Sequence, residues 1–253
     1  MEMMRGVLLL ALLYCGATIT TAAKLPDTFL KCKRTDYENV CLKHAVEKAL
    51  KAMKNGIPSL QLLPIDPLAV TKISIEEGAN QPITVKLDLL NAELTGLYGV
   101  EVVSASYNLS QRIFDVEVFL PSLNLVGDYD MDGKFLLLPL KGKGKCNLTL
   151  SKFKANFLLK ARDIKKKNDI YWDITSITLG IHDVSNFHVN FENLFNGDKA
   201  LGDTTNKALN DNWEEFWGVI RPSIEQAFGD VFAHVANIIF SRVPEKNLFV
   251  STS

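Results

Sequence analysis

The chain has 253 residues, 47% of them hydrophobic and 23% charged, with 28 basic against 29 acidic residues and a formal net charge of −1. So much apolar material excludes a wholly disordered chain, and charges this evenly balanced provide no electrostatic footprint for nucleic acid. At about 150 residues per domain the length allows one domain or two.

The N-terminus reads as a cleaved secretory signal at residues 1–23, ahead of a single domain at 24–253. Arg5 carries the positive charge, Val7 to Tyr14 form a short apolar run, and Thr21, Ala22 and Ala23 are the small residues a signal peptidase needs. That run falls short of the roughly 20 residues that span a bilayer. The competing reading is an uncleaved anchor. No second long apolar run follows, so the mature protein is expected to be extracellular, with no stable membrane insertion.

Secretion governs how the cysteines are read. Cys15 leaves with the signal, and Cys32 and Cys41 stand nine positions apart in a polar stretch in an oxidising compartment, which predicts a disulfide. A loop this short contributes about 2 to 3 kcal/mol through the denatured state, enough to pin the N-terminal entry but not to hold up a domain. Cys146 is left over, either buried and inert or exposed and able to bridge two chains. The cysteines show no CxxC spacing, and none of His44, His182, His188 or His234 stands at metal-ligand spacing from another, so neither a metal nor a cofactor is expected. Asn108-Leu109-Ser110 and Asn147-Leu148-Thr149 are glycosylation acceptors. Because Asn147 adjoins Cys146, a sugar there would mean that both residues are not deeply buried.

The first element is a helix over Tyr37 to Asn55. Asp36 is its N-cap, Cys41, Ala45, Ala49 and Met53 form an i, i+4 row, and Gly56 closes it. Pro58, Pro64 and Pro67 predict an extended elbow over Ile57 to Leu68. From Val70 to Phe195 alternation replaces the helical period. Ile83 to Leu89, Ile113 to Leu120, Cys146 to Leu150, Ala155 to Leu159 and Ile170 to Ile174 read as strands. Asp132-Gly133, Gly142-Lys143-Gly144 and Asn168-Asp169 read as turns between them. This is an antiparallel meander whose one apolar face must cover something.

The last helix supplies the partner. From Thr205 to Ser241, Leu209, Trp213, Phe216, Trp217, Ile220, Ile224, Phe228, Val231, Val235 and Ile238 step by three or four. Such a helix would be about 54 Å long. Its C-terminal half is apolar nearly all round, as in a helix buried on most sides, and Pro222 after Gly218 should kink it. A long apolar helix and a one-faced meander suggest an α+β architecture, a sheet curled around a helix. The space between them is either a filled core or a dry apolar void, and on physical grounds alone the filled core is the plainer reading.

Several segments carry a resemblance. Leu25-Pro26 and Phe29 through the cysteine pair, Gly56-Ile57-Pro58 to Pro64-Ile65-Asp66-Pro67-Leu68, Gly127-Asp128-Tyr129 to Gly133, Leu138-Pro139-Leu140 with Gly142 and Gly144, and Trp213-Glu214-Glu215-Phe216 through Arg221-Pro222-Ser223-Ile224-Glu225 to Val243-Pro244 and Leu248-Phe249 follow one another in order. Together they resemble the insect takeout and haemolymph juvenile hormone binding family over essentially the whole mature chain. The resemblance implies a tubular lipid-binding fold, with a long C-terminal helix wrapped by a strongly curved antiparallel sheet around an apolar tunnel for a lipophilic ligand. It lies closer to takeout-like members, since hormone carriers of the family have a second disulfide and Cys146 has no partner left. Takeout-like members imply secretion into haemolymph or sensillar fluid and a link to circadian, feeding or chemosensory output.

The expected ligand-binding residues are Trp213, Phe216, Trp217, Ile220, Ile224 and Phe228 from the helix, with Phe114, Val116, Phe157 and Trp172 from the sheet. The ligand would be a juvenile hormone-like terpenoid, a fatty acid or another long-chain lipid, carried by a monomer. An enzyme, such as a lipid esterase, is the competing class. The chain has no GxSxG elbow and no HExxH, and His182 with Asp183 and His188 is read as structural. A third reading is a membrane-surface or receptor-interaction protein. Ten basic residues against one acid, Asp163, lie between Lys141 and Lys167, forming either a patch for an anionic surface or receptor, or the solvated faces of strands.

Overall fold

The computed structural model describes residues 23–34, 40–77, 83–135 and 138–250. In chain order it holds α1 (Val40–Ala52), β1 (Leu68–Glu77), β2 (Ile83–Thr95), β3 (Glu101–Asn108), β4 (Ile113–Phe135), β5 (Leu138–Lys166), β6 (Asp169–His182), β7 (Asn186–Phe191), α2 (Lys199–Asp211) and α3 (Trp213–Phe240). The expected signal up to Ala22, and the expected cap Asp36 with Tyr37, lie outside the described residues. Cys32 and Cys41 are joined, with their Cα atoms 5.9 Å apart.

α1 ends ahead of Gly56, which takes a φ of +77° and has no room for a side chain, since a Cβ there would lie 2.5 Å from the Leu62 carbonyl oxygen. The elbow beyond is not the open extended connection its prolines suggest. A short 3-10 turn at Pro58–Leu60 folds it back, and Ile57, Leu60, Leu62 and Ile65 are buried with Met53, Ile239 and Val243 in a second small core. Four apolar side chains in this stretch gain more by burial than an extended path would leave them.

The meander is built from fewer and longer strands than the alternation suggests. β4 and β5 form one hairpin of 23 and 29 residues that keeps a single register from Ile113↔Lys160 to Phe135↔Leu138. Gly133, Gly142 and Gly144, expected at turns, lie inside these strands. A Cβ at Gly133 would meet the Thr84 carbonyl oxygen at 2.3 Å, and one at Gly144 the Glu192 carbonyl oxygen at 2.5 Å. They are glycines because another backbone crosses there.

Midway along this hairpin the inward face changes parity. In β4 the buried positions Val118 and Leu120 give way to Leu125, Tyr129 and Met131, and in β5 Cys146, Leu148 and Leu150 give way to Phe153 and Ala155. Lys152, opposite Pro121, takes a left-handed φ of 42°. Both strands turn over at the same level, so the register survives while the sheet creases. Outside the crease the neighbours change too. β3 pairs residues 113–119 of β4 and β2 pairs residues 124–135. Likewise β7 pairs residues 146–151 of β5 and β6 pairs residues 154–166. The result is one strongly curved seven-stranded antiparallel sheet with the order β1-β2-β4-β5-β6, β3 and β7 lying alongside.

The C-terminal helical segment closes the curve, as two helices and not the single expected one. The chain leaves helical geometry at Asn212 (φ −124°), whereas Pro222 lies inside α3. Pro222 and Gly218 are both exposed, so the carbonyl freed by the missing N–H can turn to water. The break lets each helix follow a different sheet edge. On α2, Asn206 and Asn210 each pair both amide atoms with the N–H and carbonyl of one residue of β7, Asn206 with Phe191 at 2.9 and 2.9 Å and Asn210 with Val189 at 2.8 and 2.8 Å. On α3, Asn237 does the same to Ile174 of β6, at 2.8 and 2.9 Å, and the Ile181 N–H donates to Glu225 at 2.7 Å. Side-chain amides thus stand in for a missing strand along otherwise open edges. Replacing Asn237 by alanine strands the Ile174 N–H and carbonyl and is expected to cost about 1–3 kcal/mol, read as a lower urea midpoint.

Candidate functional site

Between the crease and α3 lies a partly open cavity of about 90 Å³. That is well above the roughly 10–15 Å³ a single water needs, and a polar lining would hold several waters. This lining is not polar. The sheet contributes Leu120, Leu123 and Leu125 of β4, Leu148, Leu150, Phe153, Ala155 and Phe157 of β5, Leu179 and Ile181 of β6, Phe187 of β7, and Ile75, Leu87 and Leu94 of β1 and β2; α3 contributes Trp217, Ile220, Ile224, Phe228 and Phe232. Leu97 completes it.

Of the ten residues expected at a ligand site, Trp217, Ile220, Ile224, Phe228 and Phe157 line this cavity. The other five do not. Phe216 is fully buried one helix position away, its ring 6.1 Å from Phe135 and 6.2 Å from Phe187, so it is core. Trp213 and Val116 are half-buried against the core cluster. Phe114 and Trp172 belong to an aromatic cluster further along the roll, 5.3 Å from one another and joined by Phe240, Phe249 and Tyr107. Most of the leucines were missed because the parity change at the crease puts lining residues on both alternation phases. The coincidence of Pro121-Ser122 with Ser151-Lys152 in the hairpin register is the signal that would have found them.

The aromatic cluster is roofed by charge. Glu245, 5% exposed, pairs with Arg34 at 2.6 Å and Arg112 at 3.0 Å and accepts from Trp172 Nε1 at 3.3 Å. Arg112 also grips Asp163 with two nitrogens, which raises its pKa further above the usual guanidinium value. The Val250 N–H donates to the Cys32 carbonyl at 3.0 Å, tying the C-terminal tail to the disulfide loop.

Cys146 is buried, and Asn147 beside it is exposed on the opposite face of β5, so the two are compatible with a glycan at Asn147; Asn108 is also exposed. Burial pushes the Cys146 thiol up to about 11 and the neighbouring Tyr129 hydroxyl, which donates to the Glu192 carbonyl, up to about 12. Both are neutral acids whose native pKa exceeds the denatured one. Their contribution to stability is whole below the ordinary thiol value of 9.0 and is lost as pH rises through the native values. The urea midpoint is therefore expected to fall between pH 9 and pH 12, with Cys146→Ala flattening the lower part of that fall. At pH 8 iodoacetamide should modify Cys146 only after denaturation.

The basic stretch on β5 is partly neutralised across the strands, Lys143 pairing with Asp130, Lys145 with Asp128, Lys154 with Asp183 and Arg162 with Asp173. Lys141, Lys152, Lys160, Lys165 and Lys167 form no ion pair among the described residues. His182 lies 3.4 Å from Glu117, while Asp183 is held by Lys154, so these residues do not assemble a relay. Among the described residues no cluster of metal-ligating side chains occurs, and no helix is long and apolar enough to cross a membrane.

A helix held in a creased antiparallel sheet over an apolar cavity defines a tubular lipid-binding type of fold. The sequence pattern of the haemolymph juvenile hormone binding protein family matches residues 8–250, and the chain belongs to that family, one of binding proteins. It is 26% identical over 243 residues to the circadian clock-controlled protein daywake of Drosophila melanogaster, covering 93% of this chain and 92% of that protein. The daywake of Drosophila yakuba is 24% identical over 238 residues, covering 91% and 90%. The crystal structure of Takeout 1 from Epiphyas postvittana superposes with a TM-score of 0.77 at 23% identity, over 88% of this chain and all of that one, and establishes the likeness of fold.

Proposed function

We propose that the protein is a secreted carrier that holds a small lipophilic molecule in the cavity between α3 and the creased sheet. The observation that carries this reading is the almost entirely apolar lining of the cavity in a protein of this family. Transfer needs no chemistry. Each methylene moved from water into such a lining gains about 0.8 kcal/mol, so a chain of a dozen or so outweighs the cost of association. Trp217, Ile220, Ile224, Phe228 and Phe157 form the contact surface, and residues 24–253 act as a single monomeric carrier after removal of residues 1–23. The exposed sequons Asn108 and Asn147 carry glycans, as suits haemolymph or sensillar fluid. The likeness to daywake, a circadian clock-controlled protein, supports a place in circadian output.

Native mass spectrometry of the secreted protein, followed by organic extraction, tests the reading. A discrete lipophilic mass released on denaturation is expected. An apo mass, together with failure of any apolar probe to bind, would mean that the roll is simply a core and that the protein acts through its surface.

A further inference from the structure

Among the cavity-lining residues only one, Trp217, has a polar side-chain atom. Every lining residue is Leu, Ile, Phe or Ala except Trp217. No fully buried side-chain nitrogen or oxygen among the described residues lacks a partner. The indole N–H of Trp217 makes no hydrogen bond among the described residues, so it is not sealed off although the residue is only 7% exposed. The other interior indole differs, since Trp172 donates to Glu245. An N–H taken from bulk water and left unpaired is costly, and an oxygen placed against it by a ligand removes that cost.

The lining also lacks any cation. A carboxylate would enter it with no counter-charge and no donor but this one, which strongly disfavours an ionised ligand. Along α3 the lining runs from Trp217 through Ile220, Ile224 and Phe228 to Phe232, so Trp217 stands at one end of a hydrocarbon wall. Building on the carrier reading, we propose that Trp217 determines specificity. Its indole N–H donates to one neutral acceptor oxygen, such as an ester or ketone, on an otherwise hydrocarbon ligand. The oxygen-bearing end lies toward the N-terminus of α3, and free fatty acids are rejected at neutral pH.

Displacement of the fluorescent probe N-phenyl-1-naphthylamine by methyl dodecanoate, pentadecane and dodecanoate at pH 7.5 tests this in wild type and Trp217→Phe. The ester is expected to bind at least about tenfold more tightly than the carboxylate. The ratio of ester to alkane affinity should fall about tenfold in Trp217→Phe, whatever change in apolar contact the two ligands share. An unchanged ratio, or a carboxylate bound as tightly as the ester, would overturn the assignment while leaving the carrier reading in place. A wild-type protein that binds neither probe nor ligand would overturn both. Should Trp217→Phe fail to fold, the wild-type indole proton of Trp217, assigned with Trp172→Phe and Trp213→Phe, must move downfield with the ester and not with the alkane. An equal response to both would count against the proposal.

Discussion

Ala155→Phe is expected to lower affinity for apolar ligands by at least about a hundredfold while leaving the protein folded. Ala155 is 2% exposed, lines the cavity, and pairs with Val118 of β4 on one side and Ile181 of β6 on the other. A ring at this position enters the space a ligand would occupy. Adding atoms to a filled interior costs about 1–3 kcal/mol, but here the added ring has unfilled volume to enter, so the cost should fall at the low end. Probe displacement and a thermal melt on the same sample separate the two quantities. Wild-type affinity in a folded Ala155→Phe variant would place the ligand outside the crease.

Removing the Glu245 carboxylate should produce the largest loss of stability. Glu245→Ala leaves the Arg112 guanidinium, whose side chain is 17% exposed, with only Asp163, and deprives the Trp172 N–H of its acceptor. Breaking a buried pair costs about 3–5 kcal/mol. Arg34 is 44% exposed and recovers much of its loss from water, which brings the expected figure to about 2–3 kcal/mol. For a chain of this size that is a fall of about 5–10 °C in Tm. Glu245→Gln, which keeps an acceptor for Trp172, should lose less. A calorimetric scan of the three proteins gives the order, and equal Tm values for wild type and Glu245→Ala would show that Phe249 and the aromatic rings hold this end of the roll without the ion pairs.

The elements most legible in the chain were those whose signal is local. The stripe from Trp217 to Phe228 could be read at helical spacing because those positions face the sheet on one side of one helix. The broad apolar surface of the C-terminal half of α3 has a second cause that only the fold reveals, for Ile239 faces the elbow residues Ile57, Leu60 and Leu62. Asp132-Gly133 and Gly142 to Gly144 misled because a glycine that turns a chain and a glycine that lets another backbone cross look the same in one dimension. Trp172 and Phe114 point inward as their alternation suggests, yet reach a different part of the roll, since inward-facing strand residues are spread along the whole length of a strand.

The sequence alone determined the cysteine pair, the antiparallel character of the middle and the helical C-terminal segment, because each depends on spacing between near neighbours. Only the tertiary structure decided where the C-terminal helix divides, which strands are continuous, and which side chains border the cavity. Those depend on the crease at Pro121 and Lys152 and on the amides of Asn206, Asn210 and Asn237 closing distant edges. Their physical basis is long-range pairing, in which a backbone group more than fifty residues away, as Ile174 is from Asn237, settles what a side chain is for.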